Sequence, residues 1–588
     1  MTTTQTPDNF PPGVEITQET FQNWALAITV PNLWTCYPNS EDQVVEVCNW
    51  AAQQGYAVRP RGIMHGWSPT TVAADTPPDA KILLVDLTKY LTATTFLSAT
   101  DTQPTRVQVQ TGATMHNLLT YLESAAGPDQ PGYSFAHVPA PGHLTVGGVL
   151  AIDAHGSAIP SENESFNCSY GSLSNQILSF KAVVTDPDSS TPDAYTIKSF
   201  NRGDTDAKAF LAHVGRAFIV EATLQVIENY YLRCVSYTNL TSDVLFAAPT
   251  AETPIPPNSL ASFLNQYGRV EAIWFPYTWE PPKSAKWPHL PLWFPWSTPY
   301  PWFKVWSVSP TKPDTSVEVD KPYNYPFSDT LPERAAAIIA EIASGAGSLT
   351  PFFGQMMQLV SITGLNGIPD ISQPTNDLWG WSKNTLLYVK DTTLRVTANG
   401  YAVQMKKSDV QQAVHDFATK YVEMVNAYAS NGQYPVNSPL EIRVTSLDDP
   451  AQVGVPAGTT AESPVISALS YDQEAKNNNW DVALWFDVLT VPGTPSANDF
   501  YQELEEWIQN RFSGAAGRPM PEWSKGWAYT SSGGAWTNSA YMESIRQMFT
   551  TGRTADDNWN YEVATLARYD KSNLFTNELL GTLFTSTT

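Results

Sequence analysis

RPRGIMHGW, residues 59–67, places a histidine between two glycines just past a short strand-like run. Glycine lacks a Cβ, so Gly62 and Gly66 leave room for a bulky group to approach the backbone around His65. Immediately upstream, SEDQVVEVCNWAAQQGYAVRPRG (40–62) reads as a helix followed by a strand. Ser40 and Gln43 have capping-box spacing, Val44, Val47, Cys48 and Ala51 recur at the helical period, and Gly55 falls where a C-cap belongs. The strand YAVRP puts His65 just beyond a strand end.

Downstream, KILLVDL (81–87) and RVQVQTG (106–112) are strand-like and ATMHNLLTYLESA (113–125) is helical, a mixture that suits an α+β domain whose sheets are covered by helices. Around residue 228 the chain turns rich in Trp and Pro, with a linker-like APTAETPIPPNS at 248–259 and a long amphipathic run, SDVQQAVHDFATKYVEMVNAYA. The expected organisation is a first domain over 1–228, a second over 229–540 with its own large antiparallel sheet under helices, and a segment 541–588 packing back on the first. There are no internal repeats.

At 588 residues with 42% hydrophobic and 15% charged residues, the chain is long enough for two large cores. Thirty-three Lys and Arg against 57 Asp and Glu give a net charge of -24, which repels nucleic acid, so no such partner is expected. Cys36, Cys48, Cys168 and Cys234 have no CxxC spacing, so neither a zinc site nor a disulfide framework is indicated. No run of about 18 apolar residues reads as a membrane span, and MTTTQTPDNFPPG is not an export signal. The expectation is a secreted, mature form from which any such signal has been removed.

A second glycine-rich segment, PGHLTVGGVLAIDAHGS (141–157), carries Gly142, Gly147, Gly148 and Gly156. Two such loops can offer backbone N–H groups to a pyrophosphate, although neither GxGxxG nor GxxxxGK[ST] is present and turn-making alone would also explain the glycines. His137, His143, Asp153 and His155 fall within twenty residues of one another, but their spacings match no helical or tetrahedral metal pattern, so no metal site is expected.

RPRGIMHGW and HLTVGGVLAIDAHGS, with VQTGATMHNLL between and GRAFIVEATLQV after them, resemble the FAD-binding domain of the vanillyl-alcohol oxidase flavoprotein family. RVEAIWFPYT, PWFKVWSVSP, PYNYPFSD, NDLWGWSKN, LEIRVTSLDDP, WDVALWFDVLTVPGTP and RPMPEWSKGWAY resemble the substrate domain of the type II cholesterol oxidases, whose FAD is covalent. The resemblance covers nearly the whole chain and implies the two-domain fold of that family. It also implies that His65 bonds to the 8α-methyl of the isoalloxazine, which a neutral imidazole can do as a nucleophile. By the same carry-over, Arg61, Gly62, Ile63, Met64 and Gly66, together with Gly142, Thr145, Gly147 and Gly148, surround the pyrophosphate and the flavin, and Gly156 lets the chain pass close by. Phe218 stands where many relatives have glycine, so Ile219, in place of a glycine-bounded loop, is expected to line the cofactor.

In the second domain, Glu271 in RVEAIWFP and Glu441 in LEIR interrupt apolar strand-like runs. Residues i and i+2 of a strand share a face, so Glu441 and Arg443 project together and can pair, either as a rim salt bridge or as a functional group. The resemblance implies the latter: a Glu/Arg pair at the floor of the active site that also controls oxygen access, with Arg443 stabilising negative charge on an enolate or reduced flavin. It further makes Glu271 the proton shuttle, expected to be buried without a cation. Asp487 stands where relatives are expected to carry asparagine.

WPHLPLWFPWSTPYPWF (287–303) has four tryptophans, five prolines and no formal charge. Prolines at this density exclude a helix; the segment is either a packed loop or a wedge for transient contact with a lipid interface. The function implied is oxidation of a 3β-hydroxysterol, cholesterol foremost, to the 3-ketone with Δ5 to Δ4 isomerisation, molecular oxygen being reduced to hydrogen peroxide. The alternatives are a sugar or polyol oxidase on the same flavin scaffold, which would need more polar groups in its pocket, and a flavin- or lipid-binding protein without turnover.

Overall fold

The computed structural model describes residues 6–77, 79–127, 130–162, 164, 166–279, 300–325, 341–342, 347–367 and 373–587. The aromatic loop at 284–299 lies outside the described residues. The fold is α+β, with a four-stranded, a five-stranded and a two-stranded sheet preceding one of nine strands.

Strands β1 (Glu15–Gln22), β2 (Thr29–Tyr37), β3 (Ala57–Arg61) and β4 (Ile82–Asp86) form a sheet in the order β1-β2-β4-β3. The helix Glu41–Gln54 connects β2 to β3, both parallel to β4. Its ends are those its sequence predicts: the Ser40 side chain accepts from Gln43 N, and Gly55 is left-handed at φ 71. The return bond of the box is displaced by one residue, because Gln43 Oε1 accepts from Asn39 N and not from Ser40.

A second, antiparallel sheet is built from β5 (Thr94–Leu97), β6 (Arg106–Gln110), β8 (Ile177–Thr185), β9 (Tyr195–Asn201) and β10 (Phe218–Gln225), in the order β5-β6-β10-β8-β9. The short β7 (Tyr133–Ser134) pairs with β11 (Ile227–Glu228).

From residue 231 onward the chain makes a nine-stranded sheet. Its members are β12 (Tyr231–Tyr237), β13 (Arg269–Trp274), β14 (Trp302–Val308), β15 (Val317–Glu318), β16 (Asp377–Trp381), β17 (Thr397–Met405), β18 (Leu440–Ser446), β19 (Val482–Thr490) and β20 (Arg518–Pro521). The order is β15-β16-β12-β14-β13-β18-β19-β17-β20, antiparallel except for β15 with β16.

Both faces of this sheet are covered, which is why β13 and β19 are buried at every residue. Val270, Ala272, Val305, Ile442, Val444, Phe486 and Val488 point to a core shared with the helices Val410–Ser430 and Ala497–Arg511, where Phe417 stacks on Phe486 at 3.8 Å. Successive side chains on a strand alternate faces. Glu271, Lys304, Glu441, Arg443, Trp485 and Asp487 therefore project together from the other face of four adjacent strands.

The last segment of the chain is tied to the first sheet. Val58 N donates to Leu574 O at 2.9 Å, and the buried Asp570 accepts from Tyr195 Oη at 2.5 Å and pairs with Arg216 at 3.0 Å. All four cysteines are buried and free, and among the described residues no helix is long and apolar enough to cross a membrane.

Candidate active site

Two clefts meet at His65. The first, with about 1100 Å³ of open space, is walled by the loop Arg61–Gly66, by Leu144–Val149 and by Val214–Ile219. The loop leaves the end of β3, and Thr145 caps the short helix Val146–Ala151 by accepting from Gly148 N. These two segments are pressed together: a Cβ on Gly62 would sit 2.4 Å from Thr145 Oγ1, so the space that Gly62 leaves is taken by protein. Above Gly66 the space is open.

The polar groups of this cleft suit an anionic dinucleotide. Arg59 is buried, hydrogen-bonded through Nη2 to Thr70 O, yet among the described residues its Nε and Nη1 have no partner, and neither has Ser68 Oγ. Buried N–H groups of a guanidinium left unpaired are costly, and a phosphate is a matching acceptor. Burial, with the Arg216 charge, pulls Arg59 down to about 9, a penalty that an anion would relieve. Arg61 is less available, being paired with Glu19 at 2.8 Å and Asp86 at 3.2 Å. An FAD-sized group thus finds glycine-lined walls and unsatisfied donors here.

His65 lines both clefts. Its ring lies 4.6 Å from that of Trp24, and its Nδ1 is 3.1 Å from His143 Nε2. Burial, with smaller contributions from His143 and Lys525, presses His65 down to about 3, so it is neutral near pH 7.

The second cleft, with about 1620 Å³ of open space, has apolar walls that include Trp24, Ile273, Phe275, Trp302, Leu394 and Leu489. One end is charged. Glu271 sits on β13 directly opposite Lys304 of β14 on one side and Arg443 of β18 on the other. Its Oε2 accepts from Tyr388 Oη at 2.5 Å and lies 3.6 Å from Lys304 Nζ, while Oε1 is 4.0 Å from Arg443 Nε. Arg443 also pairs with Glu441 at 3.0 Å and with Asp487. Lys525 joins Asp487 at 2.6 Å to Glu522 at 3.1 Å, and His155 stacks on Trp485 at 3.7 Å with Nε2 4.0 Å from Glu522.

Four carboxyl groups, Glu271, Glu441, Asp487 and Glu522, thus face three cations, Lys304, Arg443 and Lys525. Burial would raise Asp487, but Lys525 and Arg443 outweigh it and hold it well below the usual carboxylate range. Burial raises Glu441, with Arg443 opposing. Burial and the Asp487 charge push Glu522 upward. Burial and the Arg443 charge keep His155 neutral. The arrangement can hold one proton on a carboxyl at the cleft wall while keeping other carboxylates ionised.

The structure alters several expectations. Glu271 is buried as expected, but not without a cation: Lys304 and Arg443 flank it, because register brings both to the same face. Ile219 lines the first cleft together with Val214 and Gly215, at φ 50 and 85, so a glycine loop is present after all, three residues before Phe218. Gly62, Ile63, Met64, Gly66, Thr145, Gly147 and Gly148 line the first cleft. Gly142 lines neither cleft; it is crowded by Tyr323 and Leu387. Gly156 packs against Val138 O and borders a small adjoining cavity. Arg59, Lys304, Tyr388, Glu522 and Lys525 were not singled out from the sequence. A charged residue in the aromatic runs PWFKVW and PEWSKGW is the signal that marks three of them.

Among the described residues no cluster of His, Cys, Asp or Glu could hold a metal ion. A family model described as an FAD binding domain matches residues 33–188, and one described as "Cholesterol oxidase, substrate-binding" matches 231–292 and 289–585. A solved structure named "Solvent-stable cholesterol oxidase" is 44% identical with a TM-score of 0.89, covering 99% of this chain and 100% of that one. The cholesterol oxidase from B. sterolicum is 33% identical with a TM-score of 0.88, covering 99% of each chain. No curated protein sequence matches the chain significantly. Shared fold along the full length, and identity well above what fold alone requires, place this chain in the cholesterol oxidase family.

Proposed function

We propose that this chain oxidises the 3β-hydroxyl of a sterol, with cholesterol as the leading substrate, to the 3-ketone, and moves the Δ5 double bond to Δ4. The observation that carries the reading is the long apolar cleft that runs between His65 and a buried Glu271–Arg443 cluster. Bound FAD would supply the electron acceptor, taking hydride from C3 and reducing dioxygen to hydrogen peroxide. Arg59, Ser68 and the Thr145–Gly148 segment would hold its diphosphate, and His65 would carry the covalent bond to its 8α-methyl.

The protein orients the sterol and moves protons. The apolar walls exclude water and favour a fused hydrocarbon ring system over a sugar, which would leave its hydroxyls unpaired. Glu271 takes the hydroxyl proton, and after releasing it to water it takes a proton from C4 and returns it to C6 during isomerisation. Arg443, held by Glu441 and Asp487, places a fixed positive charge where the enolate oxygen develops. The aromatic residues of 287–299 would touch the lipid layer from which the sterol comes, whereas Trp302 and Phe303 are buried in β14.

A substrate screen tests this reading. Peroxide should be released on adding 3β-hydroxysterols and not on adding sugars or polyols. Turnover of sugars without sterol turnover would overturn it, and flavin binding without any peroxide would leave only a binding protein.

A further inference from the structure

Lys304 is a lysine with no exposed side chain, and its Nζ has no hydrogen-bond partner among the described residues. It is surrounded instead by rings: Nζ lies 2.8 Å from the centroid of Tyr388, 4.7 Å from Trp306, 4.9 Å from Tyr325 and 5.2 Å from Trp302. Aromatic faces stabilise a desolvated ammonium. Its carboxylate neighbour is Glu271 at 3.6 Å, and Tyr388 joins the two, donating its hydroxyl to Glu271 while its face covers Nζ. Lys304 does not line the substrate cleft; Glu271 does. If the site needed only volume, an apolar residue would fill it without the cost of burying a charge.

We propose that Lys304 is a positioning residue: its caged ammonium lies against the Glu271 carboxylate and holds it aimed into the cleft, ready to accept the sterol hydroxyl proton. This rests on the reading of Glu271 as the base. The proton moves from the substrate oxygen to the Glu271 carboxylate, and Lys304 stays protonated throughout. Burial pulls Lys304 down to about 8, with Glu271 opposing, so it is charged at neutral pH.

The groups facing this pair are few. Around Glu271 they are Lys304 on β14, Arg443 and Glu441 on β18, Cys234 on β12, Tyr325 and the Tyr388 hydroxyl. Around Lys304 they are Glu271, Cys234 on β12, Tyr325 and Tyr388, with Glu441 farther off. Burial raises the Cys234 thiol and both tyrosines, so none of the three ionises near neutral pH.

The test is the pH profile of kcat/KM for a sterol in the FAD-loaded enzyme, with flavin content and folding checked by absorbance and circular dichroism. Glu271→Gln should abolish the acid limb. The neutral variants Lys304→Met and Lys304→Gln should move that limb to higher pH by about one unit or more, with most of the rate returning above it, while Lys304→Arg should leave it closer to the parent. A uniform loss at every pH with an unmoved limb would make Lys304 structural and overturn the proposal. So would failure of both neutral variants to fold when Lys304→Arg folds. If Glu271→Gln retains the limb and the rate, the reading of Glu271 itself fails, an outcome distinct from an unmoved limb in the lysine variants alone.

Discussion

His65 Nδ1 and His143 Nε2 lie 3.1 Å apart, a hydrogen-bond distance between two imidazoles at the junction of the clefts. Burial lowers both rings, and the shared bond fixes which His65 nitrogen is engaged and which is free. His65→Ala should leave FAD bound through the first cleft but remove the covalent bond, so that acid precipitation leaves the yellow colour in the supernatant. A yellow pellet would place the attachment elsewhere. His143→Phe should slow attachment, followed as the fraction of flavin that pellets with time after adding FAD.

Glu271→Gln keeps size and loses proton transfer. Flavin reduction at saturating sterol, or double-bond migration, should fall by about a hundred-fold or more, with flavin content unchanged. Stopped-flow absorbance and product analysis for the unconjugated and conjugated ketones separate the two steps. Parent rates in both would leave Glu441 as the better base.

Gly400 on β17 has no room for a side chain: a Cβ would lie 2.6 Å from Asp487 Oδ1 and 2.7 Å from both Glu522 Oε2 and Lys525 Cδ. Overpacking of this kind costs about 1–3 kcal/mol. Gly400→Ala should lower the melting temperature, and it should also reduce kcat/KM for sterol, because Asp487, one of the displaced groups, pairs with Arg443 and is itself held by Lys525. Loss of stability with unchanged kinetics would show that the cluster tolerates the shift.

Glu505 is a buried carboxyl outside the cleft, accepting from Tyr401 Oη, Ala528 N and Tyr529 N. Burial pushes it up to about 7, its three donors opposing. Between the ordinary carboxyl value and 7 the folded state binds the proton more tightly than the unfolded one, so this group's contribution to stability is full at low pH and lost as pH rises through 7. The melting temperature should therefore fall less between pH 5 and pH 8 in Glu505→Gln than in the parent. Equal falls would assign the pH dependence to other groups.

Shortening residues 284–299 to a small glycine-containing turn should spare turnover of detergent-solubilised sterol and slow turnover of sterol in vesicles. Equal losses in the two peroxide assays would make the segment a packed loop.

Much of the first domain was legible along the chain because its signals are local. Ser40, Gln43 and Gly55 bound a helix through bonds to residues three or four positions away, and the loop after β3 places His65 by adjacency alone. Glu441 and Arg443 were legible as a pair for the same reason, since i and i+2 share a face whatever the strand packs against. The charged floor of the cleft was not. Glu271, Lys304, Arg443, Asp487 and Lys525 come from separated parts of the chain, and nothing local states which strand lies beside which or in what register. A shift of one residue in register would turn Lys304 to the opposite face and leave Glu271 without it. Residue types and local elements were thus determined by the sequence read alone. Which charges neutralise one another in the buried site was decided only by strand order and register, because desolvated charges interact through space at a few ångströms and not along the chain.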